Sequence, residues 1–295
     1  VDRVIVADDA STDRTAEIAR GYAERDPRRF EVLRLPENRG VGAAIEAGYR
    51  SAFAWGADVT AVMAGDGQMD PAELPALLDP VANGHADYAK GNRLVLGDAW
   101  QTMPAARLLG GAVLSFLTKV ASGYWHVSDS QNGYTAISRR ALEQLLREGL
   151  YPRYGMPNDV LVRLNVHNFT VRDVPMRAVY NVGERSKLHI PSVILPIAGL
   201  LVRRFFHRLW EKYLVRDTHP LVLFYLLGLA LLPLGLLYGG VILLVRVVGP
   251  TLLHTDAFAA FRPFCSESGI VLDALVTLVG LQMIVNPLSL VPIYG

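Results

Sequence analysis

The sequence contains few cysteines and has a low net charge, and each of these features excludes a class of protein. Cys265 is the only cysteine among 295 residues, so no intrachain disulfide can form and a disulfide-stapled domain is excluded. The formal net charge is only +1 at pH 7. The chain as a whole therefore does not attract polyanions, and we predict no nucleic acid partner. The histidines show no spacing typical of metal ligands, so no histidine-based metal site is predicted.

Apolar residues are abundant, at 51% of the chain, but they are unevenly distributed. Residues 1–188 mix polar and apolar segments as globular α/β proteins do, whereas residues 220–295 are mostly apolar and carry few charges. We therefore predict a globular domain over residues 1–188, a juxtamembrane helix over 189–216 and a membrane domain over 217–295. Because the chain opens on a strand-like segment without an initiator methionine, we also expect residues to be missing before Val1.

Two segments near the carboxyl end are long and apolar enough to be transmembrane helices. Residues 221–245 carry no charge and exceed the length of about 20 apolar residues that a spanning helix needs; the alternative is a buried core helix. Residues 270–291 form the second segment, and Asp273 near its start is expected at the membrane surface. Basic residues precede the first segment: Arg203, Arg204, His207, Arg208, Lys212 and Arg216. By the positive-inside rule, this cluster predicts an integral membrane protein with residues 1–216 in the cytoplasm.

The segment that carries most of this basic cluster also has an apolar face. Residues 190–214 mix apolar and basic side chains in the manner of an amphipathic helix that lies in the membrane interface. The alternative is an ordinary helix that packs on the globular domain.

Strand-like and helix-like segments alternate along the globular domain. The predicted strands cover residues 3–7, 30–35, 59–64, 86–90 and 134–138. The predicted helices cover residues 13–22, 41–55, 72–81, 105–121 and 140–147. Ser11 and Thr12 are candidate caps of the first helix. This alternation is typical of an α/β fold with a mostly parallel sheet and helices on both faces. Ligands of such sheets bind at the carboxyl ends of the strands.

Polar residues and glycines follow the first three predicted strands, where the ligand of such a sheet is expected. These residues are Asp8, Asp9 and Ser11 after the first strand, Asn38, Gly40 and Gly42 after the second, and Asp66 and Gln68 after the third. Carboxylates there suit a base N–H, ribose hydroxyls or a metal ion, and glycines let backbone N–H groups approach a ligand. Each loop by itself is a weak signal, but the three in order predict one binding crevice.

Six segments of the chain carry motifs. In order they read VIVADDASTDRT, ENRGVGAAIEAGY, DGQMDP, KGNR, DSQNGYTAISRRAL and VPMRAVYNVGERSK, and together they span nearly all of the globular domain. They resemble the motifs of the family-two nucleotide-sugar glycosyltransferases, which have the A-type, Rossmann-like fold. A catalytic domain followed by membrane helices is most similar to the polyprenyl-phosphate (dolichyl-phosphate mannose synthase-like) branch. The resemblance implies a nucleoside diphosphate sugar donor, a Mg²⁺ or Mn²⁺ cofactor, and a polyprenyl phosphate or other membrane lipid as acceptor.

The resemblance assigns the donor site to residues of the first and third loops. By position, Asp8 and Asp9 would hold the base and ribose of the nucleotide. The family's metal motif, Asp-x-Asp-x-Gln, falls on AGDGQ, where Asp66 and Gln68 match but Ala64 replaces the first aspartate. We expect Asp66 and Gln68 to bind the metal, because the diphosphate of the donor supplies further oxygen ligands. The alternatives are a helix-capping turn for Asp66 and solvated surface for Gln68.

The resemblance also implies that cationic residues surround the phosphate of the acceptor. The residues that fit this role are Arg93, Arg107, Arg185, Ser186 and Lys187. The family motif Arg-x-x-Gly-x-Ser-Lys is only partly present, because Asn181 and Glu184 replace its arginine and glycine. We expect Arg185 to compensate for the lost arginine. For each cationic side chain, the alternative is an ordinary surface charge.

The nature of the acceptor decides whether a general base is needed. A phosphate acceptor is already anionic and nucleophilic, so it needs positioning more than a base. A hydroxyl acceptor, as in the extension of a lipid-linked glycan or polysaccharide, would need one. Asp129 and Asp159 are the candidates, with capping of a helix over residues 160–166 as the alternative for Asp159. We predict catalytic roles for Asp66, Asp129 and Asp159, in a transferase that the resemblance implies to be inverting.

One hypothesis from another class stays open at this point. The missing first aspartate of the metal motif also fits a non-catalytic membrane scaffold that binds nucleotide sugar. The residues define neither the sugar nor the oligomeric state, so a homo-oligomer is possible.

Overall fold

The computed structural model describes residues 1–95, 105–177, 179, 190–216, 221–252 and 266–290. Within these residues the chain divides into two units, Val1–Trp210 and Glu211–Tyr294. The first unit contains both helices and strands, and the described part of the second is helical. The unit boundary lies within the predicted juxtamembrane segment, residues 189–216, so the part of that segment up to Trp210 belongs to the globular unit.

The described residues of the first unit contain six strands in two sheets. These strands are β1 (Val4–Asp8), β2 (Phe30–Arg34), β3 (Val59–Val62), β4 (Tyr88–Asn92), β5 (Thr135–Ser138) and β6 (Val171–Pro175). β1 and β2 pair in parallel, with Val4 opposite Phe30. The other sheet has the order β3-β5-β4-β6, in which β5 is antiparallel to both neighbours and β4 is parallel to β6. β3, β4 and β6 therefore run in one direction, which confirms the predicted α/β fold.

Seven α-helices belong to the described part of this unit. They are α1 (Thr15–Arg25), α2 (Val41–Trp55), α3 (Leu74–Ala82), α4 (Ala105–Ser122), α5 (Arg139–Glu148), α6 (Met156–Val166) and α7 (Ile190–Trp210). A short 3₁₀ turn, Pro71–Glu73, leads into α3. α2 has its predicted bounds. Gly56 follows its last residue and closes the last turn, because its φ of 97° is left-handed and its N–H donates to the carbonyls of Ala52 and Phe53.

Some local predictions are wrong because side chains or strand pairing override the local pattern. Ser11 and Thr12 do not cap α1: the Asp8 carboxylate accepts the Ser11 N–H (2.9 Å), and the helix begins only at Thr15, whose N–H donates to Asp13 (2.9 Å). β4 begins two residues later than predicted, and β6 lies outside every predicted strand.

Two apolar clusters lie on opposite faces of the larger sheet. Ile137 of β5 packs with Leu142 of α5 and Leu161 of α6. Its neighbour Ala136 packs with Leu77 of α3. Because consecutive strand residues point to opposite faces, the sheet is covered by helices on both sides, as predicted.

α7 packs on the domain through one face and exposes apolar side chains on another. Ile197 and Leu201 are buried against Leu114 of α4 and Val162 of α6. The exposed apolar side chains of α7 include Leu195, Val202, Phe206 and Trp210, which follow a helical spacing. The packing of one face fits the alternative of a domain-packing helix, and contact of the outer stripe with a membrane stays a prediction.

The described part of the second unit contains a wide helical turn, Glu211–Arg216, followed by α8 (Leu221–Leu252) and α9 (Glu267–Leu290). Val222–Val245 and Ser268–Val285 are long and apolar enough to cross a membrane, with mean hydropathies of 2.3 and 2.0. Only 17% and 6% of these stretches are buried, unlike the core helix of a soluble protein. A Cβ at Gly228 of α8 would lie 2.8 Å from Ile284 of α9, so the helices approach closely at a small residue, as paired membrane helices do.

Candidate active site

A cavity of about 230 Å³ separates the turn after β3 from the segment that leads into β5. Its lining residues are Asp66, Gln68, Met69, Asp70, Glu73, Arg93, Gln131, Asn132, Gly133, Tyr134, Tyr154, Met176 and Arg177. The β3 side contributes carboxylates and an amide, whereas Arg93 and Arg177 contribute positive charge. The cavity thus combines oxygen ligands with anion-binding groups, an arrangement that suits a phosphate-containing substrate.

The turn after β3 is closed by side-chain hydrogen bonds, and its first carboxylate is exposed. Asp66 Oδ1 accepts the N–H of Gln68 (3.0 Å), which closes the turn at Gly67, where φ is 76°. Asp70 caps the following 3₁₀ turn by accepting the N–H of Ala72 (2.8 Å). The capping role considered for Asp66 therefore falls to Asp70 instead.

Arg93 and Asp129 form a bidentate ion pair beside the cavity. Arg93 Nε and Nη2 donate to the two Asp129 oxygens (2.7 and 3.1 Å), and the Arg93 backbone N–H donates to Oδ2 (3.2 Å). Burial by itself would raise the pKa of Asp129, but the hydrogen bonds and charge of Arg93 hold that pKa below its usual value. Asp129 is thus an ionised, weakly basic carboxylate that orients Arg93.

The first two loops are joined to each other by Asp9. Its Oδ1 accepts the N–H of Arg39 and its Oδ2 accepts the N–H of Gly40, both at 2.8 Å. Asp8 is buried at the end of β1, where Arg34 approaches it at 3.5 Å. The structure therefore links the first two loops through Asp8, Asp9, Ser11, Asn38 and Gly40, whereas the turn after β3 lines the cavity described above. A single crevice formed by all three loops stays a prediction.

The glycines of the second loop admit a neighbouring backbone. Gly40 has a φ of 97°, and a Cβ there would lie 2.7 Å from the carbonyl oxygen of Pro152. At Gly42, a Cβ would overlap the carbonyl oxygen of Tyr151. The Ala43 N–H donates to Pro152 (3.1 Å). The close approach that these glycines permit is thus to residues 151–152; their approach to a nucleotide stays a prediction.

Known proteins share both the motifs and the fold of this chain. Residues 1–146 match the sequence model of Glycosyl transferase family 2. An undecaprenyl-phosphate mannosyltransferase of Micrococcus luteus is 30% identical over 186 residues, which cover 63% of this chain and 75% of the relative. A UDP-N-acetylglucosamine–dolichyl-phosphate N-acetylglucosaminyltransferase of Methanococcus voltae is 28% identical, over 61% of this chain and 75% of the relative. The chain belongs to glycosyltransferase family 2. It resembles the polyprenyl-phosphate branch, as expected.

A solved structure supports the same fold for this glycosyltransferase. Glucosyl-3-phosphoglycerate synthase from Mycobacterium tuberculosis, in complex with Mn²⁺, UDP-glucose and phosphoglyceric acid, superposes with a TM-score of 0.51 at 23% identity, over 70% of each chain. At that identity the similarity concerns the fold alone. The A-type glycosyltransferase fold predicted from the motifs is confirmed.

Several predicted site residues of the glycosyltransferase do not reach the cavity or lie outside the described residues. Asp159 is fully buried within α6, where it pairs with Arg163 (2.8 Å) and with Arg204 of α7. It does not cap the helix, which begins three residues earlier at Met156. The side chain of Arg107 on α4, and all of Arg185, Ser186 and Lys187, lie outside the described residues. Their roles stay predictions.

Sequence reasoning missed two cavity residues that the glycosyltransferase places opposite the acidic turn. Arg177 follows the carboxyl end of β6, and Tyr154 precedes α6. Arg177 lies within the quoted VPMR segment, and had β6 been recognised as a parallel strand, its carboxyl end would have marked this arginine. Tyr154 lies in a loop and carries no comparable signal.

The residues of the acidic turn fit a hard divalent cation only in part. Within the described ranges, no group of three or more His, Cys, Asp or Glu side chains is arranged to hold a metal ion. Asp66, Gln68, Asp70 and Glu73 nevertheless line one cavity with oxygen donors, the type that Mg²⁺ and Mn²⁺ prefer. A cation there would take its remaining ligands from phosphate oxygens and water.

Proposed function

We propose that this chain is a membrane-anchored, inverting glycosyltransferase that transfers a sugar from a nucleoside diphosphate sugar to a polyprenyl phosphate. The observation that carries the proposal is the cavity in which Asp66 and Gln68 face Arg93 and Arg177. Acidic oxygens suit the cation that accompanies a diphosphate, and guanidinium groups suit a second, separate phosphate. The names of the relatives support the same pair of substrates.

The donor end of the site is assigned to the loops after β1, β2 and β3. Asp8 and Asp9, together with the loop residues hydrogen-bonded to them, would bind the nucleoside. Asp66 and Gln68 would bind Mg²⁺ or Mn²⁺ together with the diphosphate. When bound, the cation stabilises the negative charge that develops on the departing diphosphate. Asp66 is exposed and keeps one oxygen outside its turn hydrogen bond, so it can serve as a ligand without rearrangement of the turn.

The acceptor end is assigned to Arg93 and Arg177, with the predicted contacts from Arg107, Arg185, Ser186 and Lys187. Asp129 orients Arg93, and its lowered pKa makes it a poor acceptor of a hydroxyl proton. Asp159, the other candidate base, is enclosed by two arginines. Both observations favour a phosphate acceptor over a sugar hydroxyl.

The reaction needs no proton transfer at the attacking atom. A phosphate oxygen of the lipid attacks the anomeric carbon of the donor sugar, while the bond from that carbon to the diphosphate oxygen breaks. A single displacement of this kind inverts the anomeric configuration. The chain contributes by holding both anions in line and by keeping their charges apart.

The two apolar helices and the proposed lipid acceptor support a placement of the chain in a membrane. α8 and α9 would anchor the chain, the outer stripe of α7 would lie in the interface, and the first unit would be cytoplasmic. The orientation rests on the basic cluster before α8. Two of its members, Arg204 and Arg208, form polar contacts with other residues of the first unit.

A pair of matched lipids tests the proposal. The full chain, purified in detergent, is incubated with UDP- and GDP-sugars, Mn²⁺ and either a polyprenyl phosphate or the corresponding polyprenol, and products are read by mass spectrometry. We expect a glycosyl phospholipid from the phosphorylated lipid and none from the alcohol. Sugar transfer to the alcohol or to a lipid-linked glycan, but not to the phosphate, would show that the acceptor is a hydroxyl.

A further inference from the structure

Lys90, in β4, is fully buried beneath one wall of the cavity. Its strand neighbours Ala89 and Gly91 are buried as well. Burying an ammonium group is costly unless partners hold it, and interior strand positions are normally apolar. Packing alone does not account for a lysine at this position.

The ammonium group of Lys90 is tied to the backbone of the cavity wall. It donates a hydrogen bond to the carbonyl oxygen of Asn132. Asn132 Nδ2 donates in turn to the carbonyl of Gly91 (2.9 Å), and its Oδ1 accepts the N–H of Tyr134 (3.0 Å). Since Asn132 and Tyr134 both line the cavity, Lys90 holds this wall from below.

Asp129, Asp173 and Arg93 act electrostatically on the ammonium group. Asp129 pairs with Arg93 (2.7 Å), and Asp173 lies opposite Lys90 in the register of β4 and β6. Asp173 Oδ2 accepts from Asn92 (2.6 Å) and from the N–H of Ser128 (2.8 Å), whereas its Oδ1 has no hydrogen-bond partner in the described structure. Asp129 and Asp173 are two carboxylates, and Arg93 provides only one positive charge. Lys90 therefore supplies the second. Burial lowers its pKa to about 8, against the opposing effect of Asp129 and Asp173.

We propose that Lys90 is a positioning residue of the transferase, which fixes the segment 128–134 and balances Asp173 so that Arg93 stays paired with Asp129 at the cavity. The inference rests on the proposed function, which assigns that pair to the acceptor phosphate. Without Lys90, Arg93 would face two carboxylates, and the carbonyl of Asn132 would lose its donor. The guanidinium group would then no longer be held where the phosphate of the acceptor must bind.

Lys90→Met tests this role, because methionine keeps most of the side-chain volume and removes the charge and the donor. In the assay above, we expect kcat to fall at least tenfold and the KM of the lipid phosphate to rise, with the KM of the donor within twofold of wild type. Wild-type kcat should decline as the pH rises through about 8, where Lys90 loses its proton, and the variant should lack that decline. Lys119→Met, on half-buried α4 surface away from the cavity, is the matched control and should behave as wild type.

Two further measurements separate positioning from loss of the fold and from failure of the proposed function. Lys90→Met/Asp173→Asn removes both charges, so a purely charge-balancing role predicts full recovery of kcat, whereas the lost bond to Asn132 predicts continued impairment. Hydrogen exchange, which needs no turnover, should show reduced protection of residues 128–134 in Lys90→Met and unchanged protection of α2. Unchanged protection there, or a wild-type kcat in either variant, would overturn the proposal. Absence of transfer by the wild-type chain would instead refute the proposed function.

Discussion

At the scale of single residues, the proposed binding of the donor's diphosphate and metal ion depends on Asp66. Removal of its carboxylate is therefore the sharpest test of that proposal. Asp66→Ala deletes the exposed carboxylate but leaves a turn that Asp70 and Tyr134 still hold. We expect transfer to fall about 100-fold or more, the scale on which loss of one charge-stabilising group acts. The affinity for Mn²⁺ together with the nucleotide, measured by calorimetry, should fall in parallel with transfer.

The matched control for Asp66→Ala is Asp79→Ala, which removes an exposed carboxylate from α3. Both variants should unfold within a few degrees of the wild-type chain, because exposed positions contribute little to stability. A fully active Asp66→Ala enzyme would mean that the turn after β3 does not bind the metal-diphosphate group, and that Ala64 marks the loss of that function.

The lowered pKa of Lys90 also predicts how the stability of the folded chain changes with pH. Burial lowers this pKa from 10.5 to about 8, so between these values the unfolded chain binds the proton and the folded chain does not. The contribution of Lys90 to the free energy of unfolding therefore rises as the pH rises from 8 to 10.5, by ~3 kcal/mol at most. Melting temperatures measured across that range should rise for wild type relative to Lys90→Met. Parallel curves for the two proteins would contradict the lowered pKa.

At the scale of elements, Asp159 is a buried link between α6 and α7. It pairs with Arg163 of its own helix and Arg204 of α7, and it is fully buried. Asp159→Asn should destabilise the first unit by about 3 kcal/mol, because it leaves Arg204 without this partner. The melting temperature of the full chain should fall, whereas transfer by the protein that is still folded at low temperature should be retained.

The control for Asp159→Asn is Glu143→Gln, which breaks an exposed ion pair with Arg147 on α5. Such pairs contribute little, so its melting temperature should be unchanged. If Asp159→Asn instead abolished transfer while leaving stability and donor binding intact, Asp159 would be the base that a hydroxyl acceptor needs.

The same elements show what the sequence could predict and what it could not. Local signals located α2 to the residue, because a glycine ends it and apolar residues repeat at a helical spacing. Short strands carry weaker signals: β6 contains Arg172 and Asp173, and only pairing with β4 makes it a strand. The loops at strand ends pointed to Asp9, Asp66 and Arg93 through local motifs. The links from Lys90 to Asn132 and from Asp159 to Arg204 join residues 42 and 45 positions apart, which no local pattern predicts.

At the scale of the whole molecule, the proposal requires that the first unit and the apolar helices serve one reaction at a membrane. The donor is a charged, water-soluble nucleotide, whereas the proposed acceptor is a lipid whose phosphate lies at the bilayer surface. A chain that carries both a nucleotide-binding domain and spanning helices can hold the two substrates at the same interface. The exposed stripe of α7 lies on the domain itself and fits that placement.

The orientation can be tested with the single cysteine of the chain. Cys265 lies between α8 and α9 in the sequence, so it is on the outer side if the first unit is cytoplasmic. A membrane-impermeant maleimide should label the full chain in intact cells of a bacterial host, and Cys265→Ser should abolish that labelling. Glu24→Cys in the Cys265→Ser background places a thiol on exposed α1 and should be labelled only after lysis. Labelling of Glu24→Cys in intact cells would invert the orientation. In that case the first unit would be separated from cytoplasmic nucleotide sugars, and the proposed donor would be ruled out.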